Sequence, residues 1–398
     1  MKDNSFTLFL EINNSHYIYS VGASDENNNF KIVFKLETPI IGIEKKRITN
    51  FDIAFDSIKK NIFLLEQKFN YTFKEVTLIL ENFDPTFINL TGFKRLNGSQ
   101  ILKENITYIL NDLRSYLDKV ELKKTTIHIF NSKFYLDKKV IENLPIGLFG
   151  DTYAHELSFT LINENDFKNL NNIFEKFNLK LKKILIKSFI EGAYLSKKYP
   201  NMNSFFQIKL YENHSKIFNF ENNSFKFEQS FDFGNDTIIS DISKVVSLKK
   251  DTIKNILKKN SFTPDLKKDD LIEKEFFEDE TFRKIRKRLI FEIAEARIKE
   301  ISNRMLSGNI NFVNNSKKKL VTYLTIVDYP QFHGLKNIFI NNFSMNNGSN
   351  TQILENIPYE EFIKRANDIV HFGWNKEAIP FTQTKKTIIA RFFDLIFN

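Results

Sequence analysis

A three-strand pattern occurs twice in this sequence, and it limits the possible folds more than any other feature. In each copy, three short runs rich in β-branched and aromatic residues are separated by turns of polar residues. Each copy is followed by segments with helical periodicity and by further short apolar runs. The duplicated order βββ-α-β-α predicts a mixed α/β protein with two similar lobes. The six predicted strands are 6–12, 17–21, 30–36, 205–211, 216–220 and 225–231.

Composition places the chain among globular proteins. Its 398 residues leave room for two domains or one large elaborated domain, and 42% hydrophobic with 27% charged residues supports a sizeable core. Cysteine is absent, which excludes disulfides and thiolate metal sites and suits the reducing cytoplasm. We expect neither a signal peptide nor a transmembrane span, because the first residues lead directly into a strand pattern and no apolar run is long enough.

The net charge of +9 has two interpretations. A basic protein can bind nucleic acid, but the 43 phenylalanines follow core periods instead of alternating with lysine or arginine on one face. Heavy use of Phe, Lys, Asn and Ile is also typical of an AT-rich genome, which raises the charge without implying a partner. We therefore expect no nucleic-acid partner, although the charge would suit an anionic membrane surface.

The last fourteen residues, 385–398, have the pattern of an amphipathic helix. At about 100° per residue, their apolar side chains form one continuous arc, and Thr387, Asp394 and Asn398 lie opposite. The segment is too short to span a bilayer and predicts a membrane-targeting helix, with a helix docked on the protein's own core as the alternative. Residues 373–384 have no helical period and contain Pro380, so we expect a linker there. The predicted membrane-contacting residues are Lys385, Lys386, Ile388, Ile389, Arg391, Phe392, Phe393, Ile396 and Phe397.

Four internal stretches, together with the C-terminal segment, resemble the bacterial cell-division protein FtsA, a family of actin-like proteins. Their order and spacing match from residue 6 to residue 398. The stretches are Phe134-Tyr135-Leu136-Asp137 with Asn143-Leu144-Pro145-Ile146-Gly147, 170–181 with Ala193-Tyr194, Ser240-Asp241-Ile242 with Asp251 and Lys254, and Glu295-Ala296-Arg297 with Glu300.

The resemblance implies an actin-like, two-lobed ATPase fold with a small inserted α/β subdomain. Subdomain IA would comprise residues 1–72 and 164–196, and the inserted subdomain residues 73–163. Subdomain IIA would comprise 197–246 and 318–372, and IIB 247–317. The linker 373–384 and the membrane helix 385–398 would complete the chain.

The resemblance also locates a nucleotide site, whose glycines are missing. Actin-like proteins hold ATP between two phosphate loops and an adenosine loop, where glycines let backbone N–H groups approach the phosphates. The matching segments here are 10–16, 209–216 and 324–327, and none contains glycine. In the second, both acidic residues of the family pattern are lysines. The vestigial site would comprise Glu11, Asn13, Ser15, Lys209, Asn213, Lys254 and Thr325.

These losses predict weak or no ATP binding, no ATPase activity and no cofactor. The alternative is an ATP- and Mg²⁺-binding, polymerising protein in which Lys209 and Lys216 hold the phosphates. We expect no catalytic residue and no metal site, because the six histidines are scattered and the carboxylate clusters lie among lysines.

The family binds the C-terminal tail of the tubulin-like division protein FtsZ through subdomain IIB. Arg297 and Glu300 match the family's ionic pair, and their i, i+3 spacing permits a salt bridge on a helix. Arg286 belongs to a basic block that precedes this helix. The resemblance thus implies a peripheral adaptor at the cytoplasmic face of the inner membrane, at the division site. Its partners would be the FtsZ tail, lipid, other divisome proteins and further copies of itself.

Overall fold

The computed structural model describes residues 6–25, 29–81, 83–267, 269–277, 280–315, 320–327, 329–345 and 350–378. The chain divides into two compact units. The first comprises Met1–Asn203, Glu221–Phe227 and Ile357–Asn398, and the second comprises Ser204–Phe220 and Glu228–Asn356.

A five-stranded sheet forms the core of the first unit. Its strands are β1 (Phe6–Ile12), β2 (His16–Ser24), β3 (Phe30–Pro39), β6 (Glu75–Leu80) and β11 (Lys180–Ile186), and a two-stranded hairpin, β4 (Ile43–Glu44) and β5 (Arg47–Ile48), follows β3. The order is β11-β6-β1-β2-β3, with β1 antiparallel to β2 and parallel to β6. Gly22 on β2 is required by close packing, because a Cβ there would lie 2.0 Å from the ring of Phe30.

Helices cover this sheet. They are α1 (Phe51–Phe69), α3 (Glu164–Glu175) and α4 (Lys187–Lys198). Asn50 caps the N-terminus of α1, since its side chain accepts the N–H of Ile53 at 3.1 Å.

A second sheet of the first unit lies in the chain between β6 and α3. Its strands are β7 (Thr86–Arg95), β8 (Lys124–Leu136), β9 (Lys139–Ile141) and β10 (Thr152–Asn163), in the order β7-β10-β8-β9, and α2 (Lys103–Val120) packs on β7 and β10. A Cβ at Gly92 would lie 2.2 Å from Cγ2 of Ile109 on α2. This sheet and α2 are called the inserted subdomain below.

Another five-stranded sheet, most of whose residues belong to the second unit, repeats the topology of the first sheet. The strands are β12 (Phe205–Leu210), β13 (Ser215–Glu221), β14 (Ser224–Phe231), β15 (Val321–Ile326) and β16 (Thr351–Ile353), in the order β14-β13-β12-β15-β16. Strand β12 is antiparallel to β13 and parallel to β15, as β1 is to β2 and β6. The predicted duplication is therefore confirmed.

Five α-helices and two 3₁₀ turns accompany this second sheet in the described residues. They are α5 (Asp236–Val246), α6 (Lys250–Lys259), α7 (Lys287–Met305), α8 (Ile310–Asn315) and α9 (Lys336–Met345), with 3₁₀ turns at Lys274–Phe277 and Tyr329–Leu335. The chain then returns to the first unit with α10 (Tyr359–Phe372).

Two of the predicted subdomain boundaries differ from the structure. The inserted subdomain was placed from residue 73, but β6 is hydrogen-bonded between β1 and β11 and belongs to the first sheet. Subdomain IIA was extended to residue 372, but α10 packs on α4 and β3 of the first unit. The resemblance implied both boundaries, and contacts between residues far apart in the chain place β6 and α10 with the first sheet instead.

The linker predicted at 373–384 is wrong for its first part. After α10, the chain makes a turn, and Glu377 then forms an antiparallel β-bridge with Phe130 of β8. The predicted amphipathic helix, 385–398, lies outside the described residues. Among the residues that are described, no helix is long and apolar enough to cross a membrane.

Candidate functional site

The turn between β1 and β2 matches the first phosphate loop, and its backbone donors are already used. The side-chain oxygen of Asn13 accepts the N–H of Ser15 at 2.8 Å and the N–H of His16 at 2.7 Å. The N–H of Asn13 donates to the carbonyl of His16 at 3.2 Å. Successive backbone N–H groups in a turn form an anion-binding concavity, and here the Asn13 oxygen occupies it.

Glu11, directly before this turn, is buried and bound to a lysine that the sequence did not single out. Nζ of Lys187, at the start of α4, lies 2.7 Å from Oε1 of Glu11 and 2.8 Å from Oε2 of Glu81. Burial raises the pKa of Glu11, and the nearby ammonium opposes that rise. Burial also disfavours the charged form of Lys187, but Glu11, Glu81 and Glu191 together hold its pKa well above the usual value. Lys187 is therefore an internal cation between two buried carboxylates.

The turn between β12 and β13 matches the second phosphate loop and is tightly closed. The N–H of Tyr211 donates to the carbonyl of His214 at 3.0 Å, and the two rings stack with centroids 4.2 Å apart. The carbonyls of Tyr211 and Glu212 accept N–H groups from the start of α5 at 2.8 and 2.9 Å. Gly234 makes this approach possible, since a Cβ there would lie 2.2 Å from the Tyr211 carbonyl oxygen.

The remaining predicted nucleotide residues of the second unit fall into two groups. Lys209 and Thr325 are buried and lie opposite each other on the paired strands β12 and β15, whereas Asn213 is exposed at the tip of the β12–β13 turn. Lys254 lies on α6, and its charge acts on Asp236 at the first position of α5. Burial opposes the ionisation of Asp236, but hydrogen bonds from Lys250 and Ser240 keep its pKa below the usual range.

Lys216, the other lysine of the second loop, is committed to an ion pair. Its Nζ lies 3.1 Å from Oε1 of Glu228, and both side chains are only 5% exposed. Because the charge is already neutralised in a buried pair, Lys216 is not available to a phosphate.

The predicted peptide-binding residues lie on or beside α7. Arg297 forms the salt bridge with Glu300 at 2.6 Å, and it also binds Asp241 of α5. Glu300 in turn lies 2.7 Å from Arg304. Asp241 is 56 positions from Arg297 in the chain, so no local pattern in the sequence indicates this contact.

Arg286 is not part of this network. It immediately precedes α7 and is exposed. Eleven residues of helix separate it from Arg297, about 16 Å along the axis. In the described parts of the chain, no group of three or more His, Asp or Glu side chains could hold a metal ion.

Comparison with known proteins gives one curated relative and a set of similar folds. No protein-family model matches the sequence. The cell-division protein FtsA of Buchnera aphidicola subsp. Acyrthosiphon pisum is 22% identical over 256 residues, which are 64% of this chain and 60% of that protein. The matched region therefore spans less than two thirds of the relative's length.

Among solved structures, a PilM–PilN type IV pilus biogenesis complex matches with a TM-score of 0.50 and 8% identity, over 92% of this chain and 97% of that chain. MreB5 of Spiroplasma citri bound to ADP matches with a TM-score of 0.43 and 8% identity, over 91% and 96% of the two chains. The PilM–PilN match shows a fold shared over nearly the whole chain.

Proposed function

We propose that this chain, a divergent FtsA-like protein with an actin-like fold, is a cell-division adaptor. The adaptor works without hydrolysing ATP. It tethers FtsZ filaments to the cytoplasmic face of the inner membrane at the division site. It also helps to assemble other divisome proteins there.

One observation supports the proposal that the protein works without ATP. In the loop of the first unit that matches a phosphate loop, a side chain of the protein already binds the backbone N–H groups. A phosphate needs free backbone donors, but the N–H groups of Ser15 and His16 are bound to the Asn13 side chain. Mg²⁺ needs available carboxylates, but Glu11 is bound to Lys187. ATP would have to displace both internal partners. The remodelled-site alternative relied on Lys216 as well as Lys209, and Lys216 is paired with Glu228.

The network on α7 supports binding of an acidic FtsZ tail. Two carboxylates, those of Asp241 and Glu300, hold the guanidinium of Arg297, which is still 30% exposed. Arginine can present parallel N–H donors to a further carboxylate. Arg286 and its basic neighbours would attract such a peptide at longer range.

The C-terminal segment would supply the membrane contact. Full burial of its apolar arc would contribute on the order of 10 kcal/mol as an upper bound, and each cation near an anionic surface adds about 1 kcal/mol. A single partly inserted helix therefore binds reversibly, and self-association would strengthen the binding through avidity.

The test is co-sedimentation of FtsZ filaments with anionic liposomes in the absence of ATP. The full chain should carry FtsZ to the lipid, whereas a chain ending at Thr384 should bind FtsZ and leave it in solution. The variant Arg297→Ala should bind lipid without FtsZ. If the full chain recruits FtsZ only when ATP is added, the ATP-independent mechanism is wrong, and if it never recruits FtsZ, the adaptor function is wrong.

A further inference from the structure

The last described residues, 374–378, are here called the strap; they form a turn, closed by the N–H of Glu377 on the carbonyl of Trp374, and then a single antiparallel β-bridge to β8. The carbonyl of Lys376 accepts the N–H of Asn131 at 2.6 Å, and the N–H of Ala378 donates to the carbonyl of Ile129 at 2.7 Å. Ala378 is buried in the apolar core of the inserted subdomain. The strap therefore adds one β-bridge to the edge of β8, on the part of β8 that β9 does not reach.

Side chains of the strap also bind the rest of the first unit. The buried carboxylate of Glu377 lies 2.6 Å from Nζ of Lys183 and 2.7 Å from Nδ1 of His128. The indole N–H of Trp374 donates to the carbonyl of Asn223 at 2.8 Å. Charged hydrogen bonds away from water are among the strongest that proteins make, so the strap has a defined position.

The direction of the strap determines where the next residues leave the protein. Because it is antiparallel to β8, the chain heads toward Lys124, the first residue of β8. The alternation of hydrogen bonds would next require an N–H at residue 380 for the carbonyl of Ile127. Pro380 has no N–H, so its sequence position cannot supply that bond.

The turn at that end of β8 has the chemistry of a membrane contact. Leu122 is 74% exposed and Val120 is 57% exposed, and the neighbouring Lys119 and Lys123 are exposed as well. The acidic residues nearby are paired: Glu121 lies 2.9 Å from Lys124, and Asp118 lies 4.0 Å from Arg114. Exposed aliphatic side chains beside lysines suit a lipid surface with anionic headgroups.

We infer that the turn Lys119–Lys124 is a second membrane contact, and that the strap places the C-terminal segment beside it. This inference rests on the proposed membrane role of residues 385–398. From Ile129 to Lys124, β8 extends about 17 Å. The six residues 379–384 can span at most about 22 Å, enough to deliver Lys385 to the turn. Lipid would then contact the inserted subdomain and the C-terminal segment together.

The first test compares the binding of full-length variants to vesicles of anionic phospholipid. Leu122→Ser should lower the partition coefficient about tenfold, since burying one leucine contributes about that factor. Leu64→Ser is the matched control, because Leu64 is an exposed leucine of α1 outside the turn, and it should bind as the wild type does. Both positions are exposed, so both variants should fold.

The second test uses the absence of cysteine in the chain. A solvatochromic dye on Leu122→Cys should shift to the blue when vesicles are added to the full chain. Adding Glu377→Gln, which removes the buried charge of the strap, should weaken that shift while vesicle binding remains. Adding Glu355→Gln, an exposed glutamate, should leave the shift unchanged.

The outcomes separate the two proposals. If the full chain does not bind vesicles, the membrane role and this inference both fail. If it binds but Leu122→Ser binds equally well and the dye does not shift, only the second contact is wrong. If the dye shifts equally with and without Glu377→Gln, the strap does not position the C-terminal segment.

Discussion

Replacing Lys187 by methionine tests the interpretation of the first phosphate loop most directly. The change keeps an unbranched side chain but removes the cation that lies between Glu11 and Glu81. Because removing one member of a buried ion pair costs about 3–5 kcal/mol, we expect the free energy of unfolding to fall by that amount. Lys197→Met is the matched control: Lys197 lies on the same helix, is 67% exposed and is 3.6 Å from Asp368, so its loss should cost less than about 1 kcal/mol.

The loss of stability in Lys187→Met should increase with pH. Burial already raises the pKa of Glu11 in the presence of Lys187, and without the cation the folded-state pKa rises further. The folded variant then binds more protons than the unfolded chain, so its stability decreases as the pH rises through that pKa. The deficit relative to the wild type should therefore be larger at pH 8 than at pH 5.

Urea unfolding of the wild type and both variants at the two pH values measures these differences. Adding Glu11→Gln to Lys187→Met should restore part of the lost stability, because a neutral amide no longer needs a counter-ion. A deficit below about 1 kcal/mol that is equal at both pH values would refute the idea that Lys187 acts as an internal cation.

Three further changes test other parts of the structure. Asn13→Ala removes the acceptor for two backbone N–H groups and should lower stability by about 1 kcal/mol in urea unfolding; an unchanged midpoint would contradict the role of Asn13. Arg297→Lys should weaken binding of an FtsZ tail peptide about tenfold in calorimetry, since lysine lacks the planar fork; equal affinity would exclude a paired-donor contact. Gly92→Ala should cost about 1–3 kcal/mol, because the new Cβ would meet Ile109 of α2; a tolerated alanine would show that α2 can move.

Local signals in the sequence predicted local structure well. The meanders could be predicted because apolar residues alternate between clear turns, and α1 has apolar residues at a helical period, with Asn50 as its N-cap in the structure. The salt bridge between Arg297 and Glu300 was predicted because it joins neighbouring helical turns. Strand β7 was missed, although Ile88, Leu90 and Gly92 alternate toward α2; its threonines and asparagine masked the pattern.

Contacts between distant residues could not be predicted from a single sequence. Lys187 is 176 positions from Glu11, and no local pattern marks that pair. The sequence predicts a linker across the strap because residues 373–384 have no helical period and contain Pro380. In both cases a buried charged side chain, Lys187 or Glu377, is stabilised by oppositely charged groups that are distant in the chain. Burying such a charge without a partner would be strongly unfavourable.

The strap also has a consequence for the order in which the protein matures. Glu377 follows His128 by 249 positions, and at 5–20 residues per second a ribosome needs about 12–50 s to cover that interval. Until then, the growing chain holds His128 and Lys183 without their carboxylate and β8 without its last neighbour. The edge of β8 that receives Glu377 is therefore among the last parts of the first unit to be completed.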